Sequence, residues 1–240
     1  MTETTHITHT GFEQLYTTAR QKEGRMYNDE ELLGLPGIEK GHPHFGEWQL
    51  RKESYLRLKK YLSKSTSPMK ILEVGCGNGW LSHRLSSLPS VDITAIDINN
   101  IELQQAERVF GHFPNLQFVC TSIDSTQLCA FDHIVFAATI QYFSSLKNVI
   151  GSAMQKLKPG GEIHILDTHF YKPKEVAEAK YRTTEHYNGL GCPEMSLFYF
   201  HHTLEDLNPF RYEILYQPSF LRRRFGSDKN PFPWICIKKT

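Results

Sequence analysis

The stretch Ile71-Leu72-Glu73-Val74-Gly75-Cys76-Gly77-Asn78-Gly79-Trp80-Leu81-Ser82 reads as a buried strand, a glycine loop and the opening of a helix. Three glycines at alternate positions let the backbone bend sharply and come close to a ligand that a Cβ would exclude. The helix that follows turns unpaired N–H groups towards the same spot. The spacing is G-x-G-x-G behind an acid, Glu73, rather than the G-x-G-x-x-G of dinucleotide enzymes, and no Lys-Ser/Thr pair follows to hold a triphosphate. An acid-flanked loop of this kind suits a ligand with a positive amino group and a ribose better than a pyrophosphate.

Val91-Asp92-Ile93-Thr94-Ala95-Ile96-Asp97-Ile98 is a second strand that ends in an acid, with a helical stretch after it. Asp97 lies 18 residues beyond Gly79, close to the offset at which a βαβ unit sets a carboxylate on ribose hydroxyls. With these two segments the chain resembles a class I S-adenosylmethionine-dependent methyltransferase of the small-molecule, ubiquinone-biosynthesis-like type. The resemblance runs from about Met69 to Asp167 and again over the last strand pair. It implies an α/β fold: a doubly wound, Rossmann-like seven-stranded sheet, mostly parallel with an antiparallel last strand, and helices on both faces.

The rest of the pattern agrees. Strands are expected at 70–74, 91–97, 116–120, 133–137 and 162–167, with helices at about 79–88 and 99–110 between the first three. The clearest helix carries Leu146, Val149, Ile150, Ala153, Met154 and Leu157 at i, i+3, i+4, i+7, i+8 and i+11, capped by Ser144 or Ser145 and closed by a Lys158-Pro159-Gly160-Gly161 turn. Strands alternating with helices argue for a parallel sheet covered on both sides. Two final strands, Tyr212–Tyr216 and Pro233–Lys238, flank a basic loop with Arg222, Arg223 and Arg224. Residues 1–66 are expected to form a helical cap whose first 25 residues are mobile, and residues 67–240 the ligand-binding domain with an aromatic, lid-like insertion at about 168–207.

Composition narrows the function. Lys plus Arg (27) nearly balances Asp plus Glu (26), so no global field favours nucleic acid or anionic lipid. The first residues lack an apolar signal core and no stretch reaches membrane-spanning length, which points to a cytoplasmic protein, monomer or homodimer. Five cysteines without C-x-x-C spacing fit reduced thiols packed as small hydrophobes. The pairs His42/His44 and His201/His202 lack a supporting ligand at zinc spacing, so no metal is expected.

The resemblance assigns roles residue by residue. Gly75, Gly77 and Gly79 would bring backbone against the amino-acid end of S-adenosylmethionine, and Glu73 would orient its amino group. Asp97 would accept both ribose hydroxyls, with Ile98 beside it. Ser122, Ile123 and Asp124 would face the adenine, with its amine contact open between Ser122 and Asp124; either could be a turn residue. Ala137 would let backbone lie near the sulfonium. Relatives of this type often carry paired histidines where this chain has Gln141 and Tyr142, a departure that loosens any substrate assignment.

Methyl transfer to a small-molecule acceptor needs a base only if the nucleophile carries a proton. His169 and Tyr142, beyond strands five and four, stand where such a pocket opens, and either could be structural. Aromatics of 169–200 with Tyr27 and Trp48 could wall the acceptor, and Arg182 could clamp an anion. No Asp/Asn-Pro-Pro-aromatic tetrad follows strand four, so oxygen or carbon is preferred over nitrogen as the acceptor atom. Two other readings stay open: a non-catalytic protein that binds S-adenosylmethionine for regulation, and a nicotinamide dehydrogenase, against which the glycine spacing and terminal strand pair speak.

Overall fold

A computed structural model describes residues 9–125, 127–218 and 230–240, and the Arg222–Arg224 loop lies outside them. Seven strands form one sheet in the order β3-β2-β1-β4-β5-β7-β6. They are β1 (Met69–Val74), β2 (Val91–Asp97), β3 (Leu116–Cys120), β4 (Phe131–Ala137), β5 (Leu157–Leu166), β6 (Tyr212–Tyr216) and β7 (Trp234–Lys238). The pairs β1–β2, β1–β4, β2–β3 and β4–β5 are parallel, while β7 runs antiparallel to both β5 and β6. The expected sheet is the observed one.

Alternation along β1 explains why the sheet is covered twice. Met69 and Ile71 enter one core with Leu58 and Leu62, Leu81 and Leu85, and Leu103 and Phe110. Leu72 and Val74 enter the other with Ile134, Leu146, Val149 and Ile150. The period of two along a strand sends successive side chains to opposite faces, so a strand buried on both reads as a continuous apolar run. The first face is packed by helices α3 (Phe45–Leu62), α4 (Trp80–Leu85) and α5 (Asn100–Phe110), the second by α6 (Leu146–Lys156). Ser145 caps α6 by accepting the Asn148 N–H at 3.3 Å.

Three expectations change. Helix α4 stops at Leu85, short of residue 88, with Ser86 as its cap. Lys158–Gly161 is not a turn: β5 starts at Leu157, opposite Phe131, and a bulge restores register at His133–Glu162. Gly160, at φ +75°, supplies the kink that lets the strand absorb the extra residues. At the amino end, residues 9–22 form helix α1 (His9–Lys22) rather than a mobile tail. Phe12, Leu15, Tyr16 and Ala19 give it one apolar face, which packs with Tyr142, Tyr187, Met195 and Phe198. Helices α2 (Asp29–Gly34) and α7 (Val176–Gly189) complete the chain's α-helices among the described residues. None of the helices described is long and apolar enough to cross a membrane.

Candidate functional site

At the carboxyl ends of β1 and β2 the glycine loop is tied down by its own backbone. The Gly75 and Cys76 N–H groups donate to the Ile96 carbonyl at 2.8 and 3.1 Å. The Gly77 N–H donates to Asp97 Oδ2 at 2.8 Å, and the Asn99 N–H to Asp97 Oδ1 at 2.8 Å. Asp97 therefore organises the loop and the start of α5 before any ligand is considered.

The three glycines do different jobs. Gly75, at φ +70°, faces Thr139: a Cβ there would sit 2.0 Å from Thr139 Oγ1. Gly79 turns away from the cavities, and its Cβ would strike Phe118 at 2.5 Å. It is a helix–strand packing glycine, so the expected contact to a cofactor moves off it. Gly77 remains open to the site, facing the Glu102 carboxylate.

Two adjoining cavities lie here. One, of about 450 Å³, is lined by Asp97, Ile98, Ser122, Ile123, Asp124, Thr139, Phe143 and Phe198. The other, of about 640 Å³, is lined by Glu73, Gly77, Glu102, Ala137, Asp167 and the aromatics Tyr27, Trp48, Tyr171, Tyr187 and Tyr199. Gly75, Ala138, Tyr16 and Tyr142 border both. The predicted cofactor residues are thus brought together, Gly79 excepted. Asp124 reaches the smaller cavity with its carboxylate already accepting the Ser152 hydroxyl at 2.6 Å, which favours Ser122 for a polar contact there.

The larger cavity is lined by buried carboxyls and by arginines, among them Arg20 and Arg51. Burial pushes Glu73 and Glu102 each up to about 7. Glu73 accepts a short hydrogen bond from Ser82, which anchors it below the loop. Asp97 is raised too, by burial, against the pull of its backbone N–H donors. A desolvated acid is costly when charged and relaxes once a cation arrives. Sequence reasoning missed the cationic counterpart, Arg20 of α1. Its Nε is buried without a hydrogen-bond partner among the described residues, and it pairs with Glu23 only at 3.4 Å. Raised acids, the arginine Arg20, a mostly apolar neighbouring cavity and a side-chain-free bend fit a zwitterionic amino acid joined to a nucleoside. Only the motif's own residues were legible in advance; Arg20, Tyr16 and Glu102 carry no spacing signal.

The other candidates separate clearly. Tyr142 packs edge-on against Tyr16 and Tyr199, and burial raises its phenol, so it holds its proton. His169 is an exposed residue at the rim of the larger cavity, its ring 4.5 Å from Tyr171. Arg182 also borders this cavity but pairs with Glu178 at 2.5 Å. Gln141 donates to the Ala138 carbonyl at 2.7 Å and accepts from the Thr168 hydroxyl at 3.2 Å, bracing the turns after β4 and β5. His201 pairs with Thr183 at 2.8 Å, and His202 donates to the Ile140 carbonyl at 3.2 Å ahead of the short 3-10 turn Leu204–Leu207. His186 meets Glu23 at 2.9 Å. His42 and His44 pack with their rings tilted by 50° and centroids 5.6 Å apart, and His44 Nε2 donates to the Glu23 carbonyl at 2.9 Å.

One histidine cluster escaped the sequence reading: His133, Glu162 and His164 converge on the sheet under Tyr61. The Trp234 indole, which can only donate, reaches His164 Nδ1 at 3.4 Å. His164 then keeps its proton on Nε2 and donates it to His133 Nδ1 at 3.1 Å. Burial pushes His164 down to about 3, in keeping with a neutral ring. That proton order leaves the facing nitrogens occupied with each other, a structural chain rather than a ligand set.

Residues 71–161 match the family described as methyltransferase domain. Among curated relatives, the malonyl-[acyl-carrier protein] O-methyltransferase of Acetivibrio thermocellus is 27% identical over 161 residues, 60% of this chain and 56% of that protein. The mitochondrial ubiquinone biosynthesis O-methyltransferase of Mus musculus is 34% identical over 110 residues, 42% of this chain and 29% of that one. The chain thus spans about half the length, or less, of these relatives. The plantazolicin methyltransferase BpumL, solved in complex with S-adenosylhomocysteine (SAH), superposes with a TM-score of 0.55 at 16% identity, covering 97% of this chain and 98% of that one. Sheet order, glycine loop and family match agree, and residues 71–161 are similar to a methyltransferase domain of the class I S-adenosylmethionine-dependent type.

Proposed function

We propose that this protein transfers a methyl group from S-adenosylmethionine to a small-molecule acceptor, at oxygen or carbon in preference to nitrogen. The observation that carries the reading is the pair of adjoining cavities at the ends of β1, β2 and β4, one apolar and slot-like, the other acid-lined and opening into an aromatic chamber. In this reading Ile98, Ser122 and Ile123 hold the adenine, and Asp97 with Gly77 meets the ribose. Arg20 takes the carboxylate of the amino-acid end, while Glu73 and Glu102 face its amino group. The bound cofactor supplies an electrophilic sulfonium methyl. The chain's residues orient the two reactants, and holding them in line contributes much of the acceleration. Ala137 and Ala138 leave room beside β4 for that approach, and Tyr27, Trp48, Tyr171 and Tyr199 exclude water from it.

His169 and Tyr142 frame the acceptor side, and Tyr142, its phenol raised by burial, keeps its proton there. A cytosolic protein that acts alone or as a homodimer, without nucleic acid, is the accompanying proposal. Calorimetry with S-adenosylmethionine, SAH and NAD tests the reading directly. Binding of the first two and not the third is expected; a protein with no affinity for either sulfur compound refutes it.

A further inference from the structure

We propose, resting on the reading above, that Asp167 is the base on the acceptor side: its Oδ2 receives the proton of a hydroxyl acceptor as the methyl group is transferred. Asp167 follows the last residue of β5 and borders the aromatic cavity. Leu166 pairs with Ala137 of β4, so Asp167 stands one residue beyond that pair, beside Ala138. Neighbouring strands are about 4.8 Å apart, which sets this carboxyl one strand over from the crevice assigned to the sulfonium.

Its conformation is unusual for the position. Asp167 holds φ at +54°, as does Ala138 on the adjacent strand, and the Ala138 N–H donates to the Leu166 carbonyl at 2.9 Å. A left-handed non-glycine residue persists where the surroundings over-determine it, and such sites cluster where function needs a side chain re-aimed.

What over-determines it is a relay drawn from three distant parts of the chain. Asn230 Nδ2 donates to Ser54 Oγ at 2.8 Å, and Ser54 donates to Asp167 Oδ1 at 2.5 Å. Ser54 and Asn230 are both buried. Oδ1 is therefore fixed, whereas Oδ2 has no protein donor among the described residues and is left to the cavity. Burial lifts the carboxyl to about 6, with Arg51 and the Ser54 bond pulling it down, Glu47 pushing it up and Arg57 lowering it. It is ionised at neutral pH yet basic enough to be protonated in the reaction, the range a general base requires. Tyr142 keeps its own proton, and His169 stands exposed at the rim of the same cavity, whereas Asp167 is fixed beside Ala138. The step balances simply. The acceptor O–H bond breaks with its proton passing to Asp167 Oδ2, the oxygen forms a bond to the methyl carbon, and the carbon–sulfur electron pair stays on sulfur.

The test uses the whole protein with radiolabelled S-adenosylmethionine and two phenols: catechol, protonated at pH 8, and 4-nitrocatechol, largely ionised there. Asp167→Asn should cut catechol methylation about 100-fold or more, the ordinary scale of a lost base, and 4-nitrocatechol methylation less than about tenfold. Its affinity for S-adenosylmethionine by calorimetry should match wild type. Ser54→Ala should move the acid limb of the catechol rate profile to higher pH, because it removes a donor to the carboxylate. Equal losses with both phenols, no loss with catechol, or a wild-type protein that binds S-adenosylmethionine and methylates neither phenol would overturn the assignment. Absence of S-adenosylmethionine binding would instead overturn the reading beneath it.

Discussion

Replacing Gly75 by alanine isolates the bend on which the site depends. The new Cβ would lie 2.0 Å from Thr139 Oγ1, 2.8 Å from its Cβ and 3.2 Å from its Cγ2, at a backbone φ of +70°. A left-handed alanine costs about 1–2 kcal/mol, and forcing atoms into a packed contact costs about 1–3 kcal/mol. Together the loss is about 2–5 kcal/mol. For a chain of this size each kcal/mol lowers the melting temperature by about 2–4 °C, so thermal denaturation should fall by about 4–20 °C. Thr139 also follows Ala138, which borders both cavities, so cofactor affinity should fall in parallel. The double variant Gly75→Ala with Thr139→Gly removes all three contacts and leaves only the backbone cost. Its loss should fall short of the sum of the two single losses by about 1–3 kcal/mol. A Gly75→Ala protein melting within about 2 °C of wild type, or strictly additive losses, would refute the claim that Thr139 is what excludes a side chain.

Further outcomes are expected from the charged groups. Arg20→Ala should weaken S-adenosylmethionine and SAH by about thirtyfold or more, roughly 2 kcal/mol, and leave 5′-methylthioadenosine, which lacks the amino-acid end, unaffected; equal losses across the three would contradict its role. Glu73 and Glu102, lifted by burial from 4.5 to about 7, favour the fold while neutral, and that contribution is lost as pH rises through about 7. The ligand-free protein should therefore melt lower at pH 8 than at pH 5. Over the same range its preference for SAH over 5′-methylthioadenosine, which lacks the amino group, should grow by about threefold or more; a flat ratio by calorimetry would count against these acids facing that amino group. Zinc and a chelator should each leave the melting temperature unchanged, and a zinc-dependent rise would contradict the proton order from Trp234 through His164 to His133.

The sequence disclosed those parts of the molecule whose physics is local. A glycine loop behind an apolar strand, a carboxylate at the next strand end and a 3.6-residue apolar stripe each declare themselves within one segment, so β1, β2, α6 and Asp97 were legible. What escaped depends on contacts between remote segments. Asp167 lies 113 residues from the Ser54 that fixes it. Arg20 sits in a weakly patterned helix whose apolar face has meaning only against Tyr142 and Phe198. Gly79 looked like its neighbours in the motif, and only the position of Phe118 on β3 distinguishes its task. The start of β5 was misread because Pro159-Gly160-Gly161 is turn chemistry used inside a bulged strand.

Helix α1 roofs both chambers. It is latched to α5 by Glu13 on the Asn100 N–H and by Thr17 on Asn99, and to the far side by Lys22 on the Gly191 carbonyl. On the proposed function, a spent nucleoside leaves past this helix, and those latches resist its exit. The pace of repeated turnover would then be governed by how often the amino-terminal segment peels back, and the acceptor would meet a workspace that opens and shuts as a single event.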